Sequence, residues 1–144
     1  MELPSIIISS TVTAGNIYYF TSECPIGIKG HMHVCIKRNN QIVLFTTCTS
    51  QTNTVYNFIK YTGADPNTFP CIKKDEINKF DKDLTYINCN TVTTIPESTF
   101  IEYIKQGIIK PFDGKITETQ MQNIVKGVKL STQVSENIKK MLEQ

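Results

Sequence analysis

Through the first ninety residues, apolar and polar positions alternate over short runs, and turn-forming residues break the runs at close intervals. Residues 5–13 are rich in Ile, Ser, Thr and Val, which suits an extended arm or a short strand. Gly15 and Asn16 mark a turn, and residues 17–21 (IYYFT) read as a strand. A loop follows over residues 22–30, punctuated by Pro25, Gly27 and Gly30. Residues 32–38 and 41–49 then form a hairpin around Asn39 and Asn40. Residues 55–61 fit either a strand or a short helix, and residues 63–70 (GADPNTFP) are a loop. A weak strand near Cys71 and Ile72 leads into a charged turn or surface segment over residues 73–82. Residues 84–92 (LTYINCNTV) are the next strand, with Tyr86, Asn88 and Asn90 on one face and Ile87, Cys89 and Thr91 on the other. Two asparagines on one face point to a polar cleft beside it.

After residue 96 the apolar period lengthens from two to about 3.6. A helix starts at Pro96 and runs through Ile104, with Phe100, Ile101 and Ile104 as its stripe and Gly107 as its C-terminal stop. Residues 117–127 carry a capping box of Thr117 and Gln120, with Ile116 placed to staple onto Met121. Met121, Ile124, Val125 and Val128 share a face of that helix. A third helix over residues 132–142 has Val134, Ile138, Met141 and Leu142 as its stripe. The pattern predicts an α+β, mainly β domain: a small barrel over roughly residues 12–92, with a helical tail over roughly 96–142 packed on it.

A length of 144 residues is most economically one domain with a real core. An apolar fraction of 40% and a charged fraction of 19% exclude a disordered or fibrous chain. The net charge of +2 neither demands nor excludes nucleic acid. Fourteen of the fifteen basic residues are lysine, so bidentate arginine contacts to phosphate rest on Arg38 alone. The five cysteines are an odd number without a CxxC pair, as expected of reduced thiols in a cytoplasmic protein. The N-terminus lacks a signal-peptide pattern, and no run approaches the roughly 20 apolar residues of a membrane span.

The chemistry concentrates in residues 29–51. The two histidines of the chain, His31 and His33, lie at i and i+2 of one strand, which points both imidazoles to one side. Pairing through the Asn39-Asn40 turn brings His31 to the same end of the hairpin as Thr49, Ser50 and Gln51. Three readings of the histidines stand side by side. A metal site needs further ligands, and Cys35 is the only soft one on that face. Acid–base chemistry suits imidazole, which ordinarily titrates near neutral pH. A hydrogen-bonded edge residue is the structural alternative. The hydroxyls of Thr49 and Ser50 are either turn residues or donors to a phosphate oxygen. Lys29, Lys37 and Arg38, with Tyr18, Tyr19, Phe20 and Tyr56 nearby, suit single-stranded nucleic acid, although such aromatics also build cores. Neither a GxSxG elbow nor a phosphate-binding Gly-rich motif is present.

Gly15 to Phe20 (GNIYYF), Lys-x-His at Lys29 to His31 before an apolar strand, and Thr-Ser-Gln at Thr49 to Gln51 together resemble the MazF/PemK family of toxin endoribonucleases. The segment from Lys115 to Thr117, before a helix ending near Leu130, is similar to that family's C-terminal part. The resemblance spans most of the chain outside residues 52–83. It implies an SH3-like barrel, usually a homodimer, that cleaves single-stranded RNA, often mRNA, without metal or other cofactor. It also implies a cognate antitoxin protein as a partner. The family's arginine corresponds to His31 and its threonine to Thr49, which makes His31 the principal acid or base and Thr49 and Ser50 the phosphate-positioning groups. Lys29, His33, Gln51 and Asn88 then contact substrate. Gly30 and His31 stand where the family has Pro-Arg. This departure leaves two expectations, a histidine-based nuclease or a barrel that kept the fold and binds RNA or a protein without cleaving. A metal-dependent barrel using His31 and His33 is the third.

Overall fold

A computed structural model describes residues 14–21, 30–74, 80 and 82–143. The expected arm at 5–13, Lys29 with the rest of the loop at 22–29, and residues 75–79 and 81 of the charged segment lie outside the described residues.

Among the described residues, six strands form one antiparallel sheet: β1 (Asn16–Phe20), β2 (His31–Arg38), β3 (Ile42–Thr49), β4 (Cys71–Lys73), β5 (Leu84–Pro96) and β6 (Lys110–Lys115). Their spatial order is β4-β5-β3-β2-β1-β6, and the sheet curls into a half-barrel. The hairpin turn between β2 and β3 forms as its sequence predicts. The Asn39 side-chain oxygen accepts from the backbone N–H of Gln41 at 2.8 Å and of Ile42 at 2.9 Å, which fixes the reversal locally.

Among the described residues, four helices accompany the sheet: α1 (Thr52–Thr62), α2 (Glu97–Lys105), α3 (Glu118–Leu130) and α4 (Glu136–Met141). The ambiguous stretch at 55–61 is helical, with Val55 buried and Gly63 closing the helix at φ 70°. The capping box of α3 is present, Gln120 N–H donating to Thr117 Oγ1 at 3.2 Å and Thr117 N–H to Gln120 Oε1 at 2.9 Å. The last helix is shorter than its apolar stripe suggests and starts at a Ser135 cap.

Both faces of the sheet are covered. Val34, Ile36, Leu44 and Ile87 face one core with Ile124 and Val128 of α3 and Val134. Tyr18, Phe20, Cys35, Val43 and Phe45 face a second core with Phe100 of α2 and Ile109. Consecutive buried residues in β2 and β3 follow from this, because a strand covered on both sides cannot keep a polar face.

β5 departs from simple alternation. Thr46 pairs with Val92 but the adjacent Thr47 pairs with Asn88, so residues 89–91 are taken up in a bulge. Cys89 and Asn90 are both buried there. Asn90 does not face a polar cleft, as expected from its strand face. It donates to Thr68 Oγ1 at 2.8 Å and accepts from Ser131 Oγ at 2.7 Å, tying the sheet to a short 3-10 turn (Pro66–Thr68) and to the end of α3. Among the described residues, no helix is long and apolar enough to cross a membrane.

Candidate functional site

The antiparallel register sets His33 opposite Thr47 and Phe20 opposite His31. Continuing two residues outward along the hairpin brings His31 level with Thr49. A groove of about 560 Å³ opens at this end of the sheet, lined by His31, Thr49, Ser50 and Gln51 together with Tyr19, Lys82 and Phe112. Four residues singled out in the sequence therefore meet at one surface.

Local bonds orient the hydroxyl row. The Gln51 backbone N–H donates to Thr49 Oγ1 at 3.2 Å, so the threonine hydroxyl hydrogen remains available to a ligand oxygen. The Gln51 side-chain oxygen accepts from Thr54 Oγ1 at 3.0 Å in the first turn of α1. The row thus leads into the N-terminal end of an 11-residue helix, whose backbone dipole favours negative charge nearby. Among the described residues lining the groove, Lys82 supplies the cation, and it is exposed.

The histidine pair is split, contrary to the expectation of two imidazoles on one working face. His33 is 0% exposed and stacks on the Phe20 ring at 3.8 Å and 11°, with the Phe45 ring edge-on at 6.4 Å. Its Nδ1–H donates to the His31 carbonyl oxygen at 2.9 Å. Burial strips water from the charged form and pushes its pKa down to about 4, so the ring is neutral near pH 7. His33 belongs to the second core and reaches no ligand in the groove. The physical reason is the coverage of both sheet faces. His33 shares its face of β2 with the buried Cys35, and on that face the rings of Phe20 and Phe45 enclose it.

Asn88 also lies away from the groove. Its side-chain oxygen accepts from the Asn90 backbone N–H at 3.0 Å and shapes the β5 bulge. Cys35 is buried in the second core with its thiol pKa pushed up to about 12 by burial, so it shares no open face with His31. Among the described residues, no group of three or more His, Cys, Asp or Glu is arranged to hold a metal ion.

Lys82, Phe80 and Phe112 line the groove although the sequence did not single them out, and Tyr19, noted there only among aromatics suited to nucleic acid, joins them. Period-two alternation was the signal for Tyr19, since Tyr18 and Phe20 point to a core and their neighbour must point away. Phe112 had no such signal. It lies in KPFDGK, a segment whose proline, glycine and charges hide a strand. Its ring packs 5.7 Å from that of Phe80. No family model matches this chain, and no curated protein matches its sequence.

Proposed function

We propose that this groove binds single-stranded RNA and cleaves it without a metal, in the manner of a toxin endoribonuclease. The observation that carries the reading is the meeting of His31 with the Thr49-Ser50-Gln51 row in one groove. Cleavage proceeds by attack of a ribose 2′-OH on the adjacent phosphate, leaving a 2′,3′-cyclic phosphate on one fragment and a 5′-OH on the other. His31 takes the 2′-OH proton or returns a proton to the leaving 5′ oxygen. The Thr49 and Ser50 hydroxyls donate to the non-bridging oxygens as negative charge builds on phosphorus. Histidine in place of arginine carries no permanent charge, so a lysine must offset the phosphate. Lys82 lines the groove and joins Lys29 as a candidate for that task.

The curled antiparallel sheet with packed helices is compatible with a small barrel, which the SH3-like barrel of this reading requires. On this reading the chain is a cytoplasmic toxin that acts as a homodimer, and a cognate antitoxin silences it by covering the groove.

One observation favours a second reading, a non-catalytic barrel that binds RNA or a protein partner. His33 is withdrawn into the core, which leaves a single imidazole where acid–base cleavage uses an acid and a base. The deciding experiment is incubation of a mixed-sequence single-stranded RNA in EDTA with wild type and with His31→Ala. The nuclease reading expects cyclic-phosphate fragments from the wild type and a loss of rate of about 10²-fold or more in the variant. Intact RNA with both proteins hands the groove to the binding reading.

A further inference from the structure

Gly30 immediately precedes β2, and its lack of a side chain has a specific consequence. A Cβ at this position would lie 2.5 Å from two carbons of the Tyr19 ring and 2.6 Å from its hydroxyl oxygen. The Tyr19 phenol therefore rests against the bare backbone of Gly30, at the entrance to His31. Any other residue at position 30 pushes the ring aside.

Tyr19 differs from its neighbours in β1. Tyr18 and Phe20 are 3% and 2% exposed in the second core, whereas Tyr19 is 42% exposed. It pairs with Met32 in β2 and with Lys110 in β6, so strands on both sides hold its backbone. Its side chain lines the groove that contains His31 and Thr49. Among the described aromatic residues there, Phe80 is buried and Phe112 half-buried, which leaves Tyr19 as the open ring. A ring seated on backbone, with two side-chain torsions to order and part of its surface in solvent, presents a π face at low entropic cost.

We propose that Tyr19, seated on Gly30, is a nucleobase-stacking subsite of the groove, holding the base next to the phosphate that His31 and Thr49 address. The ligand is single-stranded nucleic acid, because a base within a duplex has no free face to offer. The inference rests on the RNA reading of the groove and adds the element that grips the base. Stacking is tolerant of sequence, so the subsite contributes affinity and position rather than a strict base code.

The test separates gripping from cutting. Binding is measured with a labelled, mixed-sequence 2′-O-methyl oligoribonucleotide, which lacks the attacking hydroxyl and stays intact. Cleavage is measured in parallel on RNA of the same length in EDTA. Wild type is compared with Tyr19→Phe, Tyr19→Leu and Gly30→Ala, each checked for an unchanged melting profile. Tyr19→Phe keeps the ring and binds within about threefold of wild type, whereas Tyr19→Leu binds about tenfold or more weakly. Gly30→Ala keeps the tyrosine but displaces its ring, and weakens binding similarly. Equal binding by wild type, Tyr19→Leu and Gly30→Ala overturns the subsite, even if the RNA is cut. Tyr19-dependent binding with uncut RNA keeps the subsite and removes the nuclease reading. Absence of both binding and cleavage removes both.

Discussion

His31 and His33 are two residues apart and meet opposite fates. The Nδ1–H of His33 is committed to the His31 carbonyl, and its ring lies flat on Phe20. The depressed pKa has a definite sign for stability. Above the ordinary value of 6.5 both folded and unfolded chains hold His33 neutral, and its contribution is complete. As pH falls from 6.5 toward about 4 the unfolded chain takes the proton first, and stability is lost across that window. The loss attributable to His33 is about 2–3 kcal/mol by pH 4.5. Urea unfolding of wild type and His33→Phe at pH 7 and pH 4.5 reads it as a difference in slope, with carboxylate effects common to both proteins. Parallel losses would show that His33 is not held neutral by burial. The same residue shows the limit of a strand period. Spacing told which side His33 points to, but not that Phe20 and Phe45 close over that side.

At the scale of elements, local chemistry foretold the hairpin turn at Asn39, the capping box of Thr117 and Gln120, and the start of α2 after Pro96. The turn and the capping box rest on contacts within four residues, and the helix start on the fixed φ of Pro96, which is why they were legible. β6 was not, since KPFDGK has neither alternation nor β-branched content, and its pairing with β1 comes from register imposed by its neighbours. Gly127 makes a related point inside α3. Helix propensity alone favours alanine at this position by up to about 1 kcal/mol. Here a Cβ would sit 2.8 Å from Cys89 Sγ and 3.0 Å from the Asn67 carbonyl oxygen. Neither Cys89, bonded through Sγ to the Ile124 carbonyl, nor backbone at Asn67 yields easily. Gly127→Ala is therefore expected to destabilise by about 1–3 kcal/mol, seen as a fall of several degrees in Tm. A rise in Tm would mean that α3 can shift off the sheet without cost.

Across the whole molecule, the β5 bulge and the Thr68–Asn90–Ser131 chain of bonds hold three distant segments together. Removing the central amide leaves two buried hydroxyls without it. Asn90→Ala is expected to lower stability by about 2–4 kcal/mol, with the urea midpoint falling and the m-value unchanged. A loss within about 0.5 kcal/mol would show that the network is replaceable. The groove lies at the N-terminal end of β5, where Thr85 lines it, and Asn90 is five residues further along, so a folded Asn90→Ala protein at low temperature should retain whatever RNA activity the wild type has. Coverage of both faces also explains why β2 and β3 read as near-continuous apolar runs.

By itself the sequence determined what neighbours in the chain can determine: most strands and helices, the hairpin, the helix caps, and the gathering of His31 with Thr49, Ser50 and Gln51. These follow from backbone periods and short-range hydrogen bonds. Tertiary structure decided the rest. It chose helix for residues 55–61, made a strand of KPFDGK, buried His33, turned Asn90 into a link between layers, and seated Tyr19 on Gly30 beside the groove. Each of those outcomes depends on which distant surface covers a residue, and burial by a distant surface leaves no local mark in the chain.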